Sequence, residues 1–544
     1  MLDGGGRALA LPAIPYPNVE RGSAVRRDSV YAADVIVVGT GAGGATTAAA
    51  LAAMGHDVLM VEEGDLHRTE SFTTDPPTML GRLYRDAGTS LIFGTPPILF
   101  AEGKCVGGST VINGGMCWRT PDFVLDRWDR EHRIPDVSPR AMQPWFEAAE
   151  RILHVESNDE RTWGRHSRSF ADGAAKLGWP TRVNPRNMDR CVGLNNCALG
   201  CPTGAKQSML VTEVPRALRH GARLLAQARV EKILFSGSRA IGVRGHLVGD
   251  NDRPTYRFEA RAPLVVLAAG ARHTPGLMMR SRLRSAALGR NLRTHPNAKV
   301  VGVFDEPLDP WIGAHQTHQI HHFLEDGILM ACAAVPPGIL AMGTPGLAAE
   351  HAARMRRYNH LMTAATLVED TGEGRVRLGP DRQPVMSFRL SSQDVETIHR
   401  GVALTAQVLF SAGARSVWLP FAHLPEIHSV DELAKIETLL RKPGKIELMT
   451  VHIMGSARMS RDGGDGVVDP SGLVHGVTGL AVADASLFPS SIGVNPQETI
   501  VALALRNAER IAATLTRPKA LRAQAASSVP AAERVPATAS GVGR

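Results

Sequence analysis

Three glycines near the N-terminus form the clearest chemical signal in this sequence. Gly39, Gly41 and Gly44 follow an apolar run with the spacing G-x-G-x-x-G. In such a turn the first glycine permits the sharp bend, the second lets the backbone approach a pyrophosphate, and the third lets a helix pack close to the strand. Glu62 follows roughly 20 residues later, at a distance where an acid binds ribose hydroxyls. Glu63 is an alternative acid, but Glu62 lies nearer the end of the next apolar run.

The segments around this turn have the composition of alternating strands and helix. Val35–Val38 and Val58–Val61 are apolar and mostly β-branched, as is typical of fully buried parallel strands. Ala45–Met54 is alanine-rich and favours a helix, which Gly55 can end. Leu264–Ala268 is another all-apolar run, so we expect the chain to return to the same sheet after a long excursion. No second G-x-G-x-x-G follows it, which predicts one bound dinucleotide.

A second glycine-rich stretch runs from Gly103 to Trp128, with the sequence GKCVGGSTVINGGMCWRTPDFVLDRW. Its glycines leave backbone N–H groups bare, and such groups can contact a phosphate or a cofactor ring. The alternative is an ordinary glycine loop of a large enzyme.

Composition limits the class of protein. The chain has 544 residues, of which 44% are hydrophobic, enough for a large core in two domains. The net charge is +8, but the arginines are scattered and no nucleic-acid motif is present. A solvated basic surface is therefore favoured over attraction to an anionic membrane or an acidic partner. Six cysteines in this length do not indicate a secreted disulfide scaffold.

The sequence also bears on localisation. The N-terminus has no apolar run of signal-peptide length, and no run of about 18 apolar residues is present. We therefore expect a cytoplasmic protein without a nucleic-acid partner, and leave peripheral membrane contact open.

Changes in texture along the chain predict its organisation. Residues 1–32 are rich in glycine and proline and suggest an extended arm, whereas residues 139–177 have a helical pattern. From Ala298 to about Ala434, alternating runs indicate an antiparallel sheet. Ser392 is a plausible N-cap for a helix that reaches Ala412. The tail from Arg517 to Arg544 is expected to be disordered.

Five blocks in one order carry a family resemblance. They are VVGTGAGG with VEEG; GKCVGGSTVIN with PDFVLDRW; GARHTPGLMMRS; LGRNLRTHP; and HIMGSARM with GVVDPSGLVHGVTGLAVADASLFPSSIGVNPQET. Over most of residues 33–516 the sequence resembles the glucose–methanol–choline (GMC) oxidoreductases, which use FAD. One departure is Arg282, which follows Ser281 where the family usually has glycine. The stretch GLNNCALGCPTGAKQSM is similar to long-chain (fatty) alcohol oxidases and dehydrogenases within the family.

The resemblance implies an α/β fold, α+β overall. A Rossmann-type FAD-binding domain built from a discontinuous chain is joined to an antiparallel-sheet substrate domain. The implied segments are an N-terminal arm (1–32); the FAD-binding domain (33–138, 203–297 and 441–516, the last with catalytic residues); a helical and cysteine-loop excursion (139–202); the substrate-binding domain (298–440); and a disordered tail (517–544).

The same resemblance implies the catalytic residues. The family's base corresponds to His452, and Asn495 stands where the family has a second histidine or an asparagine. A hydride leaves an alcohol carbon only as the hydroxyl proton is lost, so an imidazole near neutral pKa is a suitable acceptor. Asn495 can orient the substrate oxygen. Alternatively, Asn495 caps the last helix, since Asn495-Pro496-Gln497-Glu498 also fits a capping box.

Cofactor contacts follow from the matching blocks. A histidine that carries the flavin covalently in choline-oxidising relatives is replaced here by Ile112, so non-covalent FAD is expected. Asp484 resembles the family's acid near the ribityl–pyrophosphate region. The expected FAD-binding residues are Gly39, Gly41, Gly44, Glu62, Gly107, Ser109, Asn113, Val230, Asp484, Ala485 and Pro496.

Two groups of residues raise the question of a metal. Cys191, Cys197 and Cys201 have the spacing C-x5-C-x3-C-P, which could hold a three-iron cluster, although a reduced structural loop is favoured. Cys105, Cys117 and Cys332 are expected to be buried small residues. A histidine-rich stretch contains His315, His318, His321 and His322 but no converging carboxylate or cysteine, so no metal site is predicted.

The sequence therefore favours FAD-dependent oxidation of a hydrophobic, long-chain or bulky alcohol to an aldehyde or ketone. Oxygen, a quinone or a carrier protein could accept the electrons. One alternative is a hydroxynitrile-lyase-like enzyme that keeps FAD without net redox chemistry. The other is a flavin subunit of a membrane-linked electron-transfer dehydrogenase complex.

Overall fold

A computed structural model describes residues 18–342, 344, 346–439 and 443–515. The strands, numbered in chain order, are β1 (Val19–Arg21), β2 (Ser29–Ala32), β3 (Val35–Val38), β4 (Val58–Val61), β5 (Ser90–Phe93), β6 (Ile98–Phe100), β7 (Val155–Ser157), β8 (Thr181–Val183), β9 (Pro185–Asn187), β10 (Arg223–Ala226), β11 (Ala228–Ser236), β12 (Arg239–Val248), β13 (Pro254–Arg261), β14 (Leu264–Leu267), β15 (Asn297–Val303), β16 (His318–Ile320), β17 (Ile328–Ala333), β18 (Leu361–Val368), β19 (Glu373–Leu378), β20 (Pro384–Arg389), β21 (Ser416–Phe421), β22 (Leu424–Ile427), β23 (Leu448–Thr450) and β24 (Leu480–Val482). The helices are α1 (Ala42–Ala53), α2 (Pro76–Leu83), α3 (Asp122–Arg130), α4 (Pro139–Leu153), α5 (Arg165–Lys176), α6 (Glu213–Arg219), α7 (Gly270–Arg280), α8 (Pro337–Met342), α9 (Ala348–Arg356), α10 (Ser392–Ser411), α11 (Ala434–Glu437) and α12 (Gln497–Ala512).

A six-stranded parallel sheet forms the centre of the first domain. Its strand order is β1-β10-β4-β3-β14-β24, so neighbouring strands come from distant parts of the chain. Strands β3, β4 and β14 are buried along their whole length, as their continuous apolar sequences predict. Helix α1 leads from β3 into β4, and α12 packs against α1. This arrangement confirms the predicted Rossmann-type domain built from a discontinuous chain.

The N-terminal segment differs from the expected arm. Strand β1 extends the parallel sheet by pairing with β10, and β2 pairs with β13 at the edge of a second sheet, of order β11-β12-β13-β2. The first domain therefore begins before residue 33. Residues 1–17 of the arm and the predicted disordered tail lie outside the described residues.

The second domain is built on a larger, mostly antiparallel sheet. The predicted region 298–440 supplies β15 to β22, with β15 beginning one residue before it, and β5, β6, β8 and β23 also join this twelve-stranded sheet. Residues 90–100 and 448–450 were assigned from the sequence to the FAD-binding domain, and the structure corrects that boundary. Both join through parallel pairs, β5 with β20 and β6 with β23. Such pairs connect distant segments and leave no hairpin signal in the sequence.

Two helical predictions require correction. The segment 139–177, which has a helical pattern, forms two helices, α4 and α5. Helix α4 ends because His154 adopts a left-handed conformation with φ +50°. Helix α10 is capped by Ser391 and not by Ser392. The Ser391 hydroxyl accepts the N–H of Asp394, whose carboxylate accepts the N–H of Ser391 in return.

Arg282, at the usual glycine position of the family, adopts φ +66°.

Within the described part of the chain, every helix is too short or too polar to cross a membrane.

Candidate active site

The glycine turn between β3 and α1 is closed on two sides and open on one. A Cβ atom at Gly39, where φ is +100°, would lie 2.3 Å from the carbonyl oxygen of Ala268. A Cβ at Gly44 would lie 2.1 Å from the carbonyl oxygen of Gly39. At Gly41 no atom of the described residues, apart from its chain neighbours, lies within 4 Å of the corresponding position. The turn therefore leaves open space beside Gly41, at the N-terminus of α1, where an anionic phosphate is favoured.

Thr40 connects this turn to the acid at the end of β4. Oε2 of Glu62 accepts hydrogen bonds from the N–H (2.9 Å) and the hydroxyl (2.8 Å) of Thr40. Oε1 of Glu62 accepts the N–H of Gly64 at 3.0 Å. The hydroxyl of Thr40 in turn accepts the N–H of Gly107 at 3.0 Å. Sequence reasoning assigned no role to Thr40, although a hydroxyl between the first two glycines was visible.

The rival acid Glu63 has a different environment. Burial raises its pKa, but the guanidinium groups of Arg85 (3.0 Å) and Arg229 (2.8 Å) hold the pKa below its usual range. Glu63 is therefore neutralised by two arginines, whereas Glu62 faces the glycine turn through Thr40.

The second glycine-rich block is tied to the start of α12. The side-chain amide of Asn113 donates to Oε1 of Gln497, in the first turn of α12. The Oδ1 atom of Asn113 is buried without a hydrogen-bond partner among the described residues. Ser109 accepts the N–H of Gly103 at 3.0 Å and thereby closes the loop. An orphaned buried acceptor in this loop leaves one hydrogen-bonding position for a bound group.

The last motif block, which contains Ala483 and Asp484, contacts both α1 and α7. A Cβ at Gly43 would lie 1.5 Å from the carbonyl oxygen of Ala483, so only glycine permits this approach. The next residue, Asp484, accepts hydrogen bonds from the N–H of Gly270 (2.9 Å) and the hydroxyl of Thr274 (2.6 Å). Burial raises the pKa of Asp484. The carboxylate thus joins the end of β24 to the start of α7.

Three other expected cofactor residues are held by contacts of the protein backbone. Val230 lies in β11, where a bulge follows it. The carbonyl of Ala485 accepts the N–H of Gly455 at 3.0 Å, and the carbonyl of Pro496 accepts the N–H of Ile500 at 3.0 Å.

The two expected catalytic residues face each other. Nδ2 of Asn495 and Nε2 of His452 lie 3.4 Å apart, although 43 residues separate them in sequence. Part of the surface of His452 remains accessible to solvent, but desolvation of the imidazole lowers its pKa to about 4. At neutral pH its imidazole is therefore uncharged and can act as a proton acceptor or as a hydrogen-bond donor.

A third residue, His295, lies behind His452 and was missed by sequence reasoning. Its Nδ1 atom is 3.4 Å from Nδ1 of His452, and the two rings are nearly perpendicular at 87°. Nε2 of His295 accepts the N–H groups of Gly493 (3.0 Å) and Ile492 (3.3 Å). Burial and the neighbouring His452 lower the pKa of His295 well below its usual range. In the sequence, the indication of a role for His295 was its place in the motif block LGRNLRTHP.

Asp370 holds the backbone of His295 in place. Its Oδ1 atom accepts the N–H of His295 at 2.9 Å and the hydroxyl of Ser491 at 3.0 Å. Burial raises the pKa of Asp370 to about 6. Asp370 therefore connects the backbone of His295 to the loop whose N–H groups His295 accepts.

Polar and aromatic side chains form the wall beside Asn495. Nε2 of Gln319 lies 3.5 Å from Oδ1 of Asn495, and Oε1 of Gln319 lies 3.0 Å from Nε2 of His321. The His321 ring packs against Trp118 with centroids 4.2 Å apart. Gln319 and Trp118 are further residues that sequence reasoning did not select.

The capping alternative for Asn495 is wrong. Helix α12 begins at Gln497, and among the described residues the side-chain oxygen of Asn495 accepts from the amide of Gln319 and not from a backbone N–H of the helix. The Glu498 carboxyl does not complete a capping box, since it is buried beside Glu150. Burial, with the proximity of Glu150, raises the pKa of Glu498 to about 8. Asn495 instead directs its side chain towards His452 and Gln319.

Comparison with known proteins identifies the family. Two domain descriptions of the GMC oxidoreductases match residues 80–297 and 370–504, and an FAD-binding domain description matches residues 34–74. An uncharacterized GMC-type oxidoreductase of Mycobacterium tuberculosis is 36% identical over 89% of this chain and 76% of its own length.

The chain belongs to the GMC oxidoreductase family.

Other relatives bear on subgroup and fold. The long-chain-alcohol oxidase FAO1 of Arabidopsis thaliana is 26% identical, over 89% of this chain and 67% of its own length. Pyridoxine 4-oxidase from Mesorbium loti has a TM-score of 0.68 at 20% identity, covering 88% of this chain and 99% of its own. A formate oxidase structure has a TM-score of 0.67 at 16% identity, covering 90% of this chain and 99% of its own. These two structures show the same fold.

FAD is the cofactor of this GMC oxidoreductase, and the described residues fit it. The backbone of Gly108 approaches Gly41 closely, since a Cβ at Gly108 would lie 2.9 Å from Cα of Gly41. The bare backbones of Gly41 and Gly108 form a cradle that side chains would fill. The orphaned Oδ1 of Asn113, in the same glycine-rich block as Gly108, leaves a further hydrogen-bonding position.

The three clustered cysteines of this GMC oxidoreductase line one pocket with Arg186 and Lys206. Arg186 donates to Sγ of Cys197 at 3.1 Å. All six cysteines are free, and no three His, Cys, Asp or Glu side chains in the described residues are arranged to hold a metal ion. As expected, Cys105, Cys117 and Cys332 are buried.

The four histidines near β16 do not converge either. Nδ1 of His315 lies 2.9 Å from Oδ1 of Asn195, and Nδ1 of His318 lies 2.9 Å from the hydroxyl of Thr317. The His322 ring stacks on Trp179, and His321 contacts Gln319. Each histidine thus has its own partner.

Proposed function

We propose that this protein oxidises a hydrophobic alcohol to an aldehyde or ketone in an FAD-dependent reaction. His452 takes up the hydroxyl proton, and Asn495 orients the hydroxyl oxygen. The observation that carries this proposal is the 3.4 Å pairing of Nε2 of His452 with the side-chain amide of Asn495. Asn495 lies two residues before Gln497, which accepts the side-chain amide of Asn113 in the second glycine-rich block.

The bound flavin supplies the hydride acceptor. The chain has to supply a proton acceptor and a position for the hydroxyl. His452 meets the first need because its lowered pKa keeps the imidazole unprotonated at neutral pH. Asn495 meets the second because an amide can donate to the oxygen without titrating. Its buried setting, 8% exposed, excludes bulk water from this contact.

A hydrophobic substrate is supported by two observations. The wall beside Asn495 includes the indole of Trp118 and the thioether of Met116, which lies 2.9 Å from the amide of Gln319. The long-chain-alcohol oxidase of Arabidopsis thaliana is similar over nearly the whole chain. A long-chain or bulky alcohol would place its hydroxyl at His452 and its apolar part against this wall.

Anaerobic flavin bleaching across a panel of alcohols tests the proposal. A hydrophobic primary or secondary alcohol should bleach the flavin of the wild-type protein, with His452→Ala much slower. A hydroxynitrile-lyase-like enzyme would cleave its substrate without bleaching. Adding air, a quinone or a one-electron carrier to the bleached protein then identifies the electron acceptor from which of them restores the colour.

A second candidate is a flavin subunit within an electron-transfer complex. The cysteine loop is attached to the cofactor-facing block, because Nζ of Lys206 donates to the carbonyls of Val111 (2.7 Å), Asn113 (2.8 Å) and Cys197 (2.7 Å). A redox group on this loop would therefore lie near the flavin. Iron and acid-labile sulfide, measured in protein prepared without oxygen, separate the two candidates.

A further inference from the structure

Six large apolar side chains are exposed together on one face of the larger sheet. They occupy outward positions on β20, β5 and β6 and at the end of β23. The residues and their exposed fractions are Val385 (37%), Leu91 (44%), Phe93 (58%), Leu99 (46%), Met449 (41%) and Val451 (51%). Grouped exposure of this kind marks an interaction surface, whereas single exposed apolar residues do not.

The strand register makes these residues one continuous patch, here called the apolar face. Leu91 lies opposite Leu99 in the β5–β6 pair, and Leu99 lies opposite Met449 in the β6–β23 pair. Alternate residues on the same strands, such as Ile92 and Leu448, point inward and are buried in the core. The exposure of these side chains therefore does not result from loose packing of the strands.

A basic edge borders the apolar face. On β19, Arg375 lies opposite Ser387, and Arg377 lies opposite Val385. Val376 between them is 1% exposed, so both arginines share the outward side with Val385. No salt bridge among the described residues includes either arginine. Two cations therefore stand beside the patch without a carboxylate partner.

The same side of the sheet leads to the active site. Met449 lies opposite Asn297 of β15, and direct partners across a ladder point to the same side. Following the ladder through Lys299, Ala365 and Ala331 leads to Gln319. Gln319 contacts Asn495, and Val451 directly precedes His452. The apolar face thus lies on the same side of the sheet as Gln319, with the ion pair of Lys299 and Glu447 between them.

We propose that the apolar face rests on an anionic lipid bilayer, and that the alcohol reaches His452 from the membrane surface. The second part rests on the proposed function; the docking itself does not. Apolar side chains beside unpaired arginines complement a surface with acyl chains beneath anionic headgroups. The net charge of +8 on the chain adds to this attraction.

Vesicle binding of the intact flavoprotein tests the proposal. Wild-type protein should sediment with phosphatidylcholine vesicles that contain phosphatidylglycerol, and much less with phosphatidylcholine alone. The double variant Phe93→Ser/Leu99→Ser should bind at least roughly tenfold more weakly. Arg375→Gln/Arg377→Gln should lose roughly thirtyfold on anionic vesicles, since each basic residue near the surface contributes about a factor of five.

Matched variants on the first domain serve as controls. Val30→Ser/Met54→Ser removes two apolar residues that are 77% and 41% exposed, and Arg244→Gln/Arg257→Gln removes two exposed arginines. Both should bind vesicles like the wild type. Flavin content and melting temperature show that each variant is folded.

Two results would overturn the membrane proposal. One is equal vesicle binding by the wild type and the apolar-face variants. The other is conversion of a dimer into a monomer by Phe93→Ser/Leu99→Ser with vesicle binding unchanged, which would assign the face to a second copy of the chain. Vesicle binding needs no turnover, so failure of alcohols to bleach the flavin would count against the proposed function alone.

Discussion

His295 and His452 face each other through Nδ1 atoms that lie 3.4 Å apart. Because Nε2 of His295 accepts two backbone N–H groups, the neutral ring carries its hydrogen on Nδ1, towards His452. A hydrogen on Nδ1 of His452 would point at the N–H of His295 and is therefore disfavoured. Nε2 of His452 can accept a proton only when the neutral ring carries its own hydrogen on Nδ1, so the facing N–H of His295 disfavours the basic tautomer and restrains the basicity of His452.

Removing His295 should release this restraint. In His295→Ala, loss of the facing N–H and access of water both favour protonated His452, so its pKa should rise. The acid-side midpoint of flavin reduction should move to higher pH. Two buried N–H groups lose their acceptor, and each costs about 1–3 kcal/mol of unfolding free energy. An unchanged midpoint in a protein of lowered stability would show that His295 is only structural.

His452→Ala should slow flavin reduction by at least roughly 10²-fold while FAD stays bound, since general-base help is typically worth about 10²–10⁴-fold. In the wild type the rate should fall only at acid pH, with a midpoint below the ordinary imidazole value of about 6.5, because burial lowers the pKa of His452 to about 4. Stopped-flow reduction by a saturating alcohol measures both. His475→Ala, in the same block, is the control, and near wild-type reduction by His452→Ala would refute the base assignment.

Asn495→Ala should lower the reduction rate with little change in melting temperature. The Asn495 side chain contacts His452 and Gln319 and caps no helix. A lost hydrogen bond to a developing charge costs about 1.5–3 kcal/mol, or roughly 10- to 100-fold in rate. Ser391→Ala is the opposite control: it removes a true N-cap, which costs about 1 kcal/mol of stability, and should leave the rate unchanged. The reverse pattern would return Asn495 to a capping role.

FAD should be released by acid denaturation. The side chain of Ile112, which replaces the histidine that carries flavin in choline-oxidising relatives, offers no nucleophile and is 8% exposed. After acid precipitation the yellow colour should remain in the supernatant. Colour in the pellet would contradict non-covalent binding.

Lys206→Met should destabilise the protein. Burial lowers the pKa of Lys206 to about 8, and its Nζ holds three carbonyls of two different loops. Each buried carbonyl left without a donor costs about 1–3 kcal/mol, so denaturant unfolding should show a loss of several kcal/mol. Lys176→Met, at an exposed lysine on α5, is the comparison and should change little. Equal stability of the two variants would show that water replaces the ammonium group.

Local pattern determined the first domain. The apolar runs of β3 and β4, the glycine turn and the alanine-rich α1 lie within about thirty residues, where periodicity and turn chemistry act directly. The ordered motif blocks likewise indicated the family, and with it FAD and the pairing of His452 with Asn495. These features depend on residue type at short spacing, which a sequence displays.

Only the tertiary structure brought distant segments together. Residues 90–100 joined the larger sheet through parallel pairs that leave no local signal. Asn495 fits a capping box by type, yet packing turned its side chain to His452. His295 and His452 are separated by 157 residues, and their contact depends on the loop at Ile492 and Gly493. The apolar face arises in the same way, because its strands become neighbours only when the sheet forms.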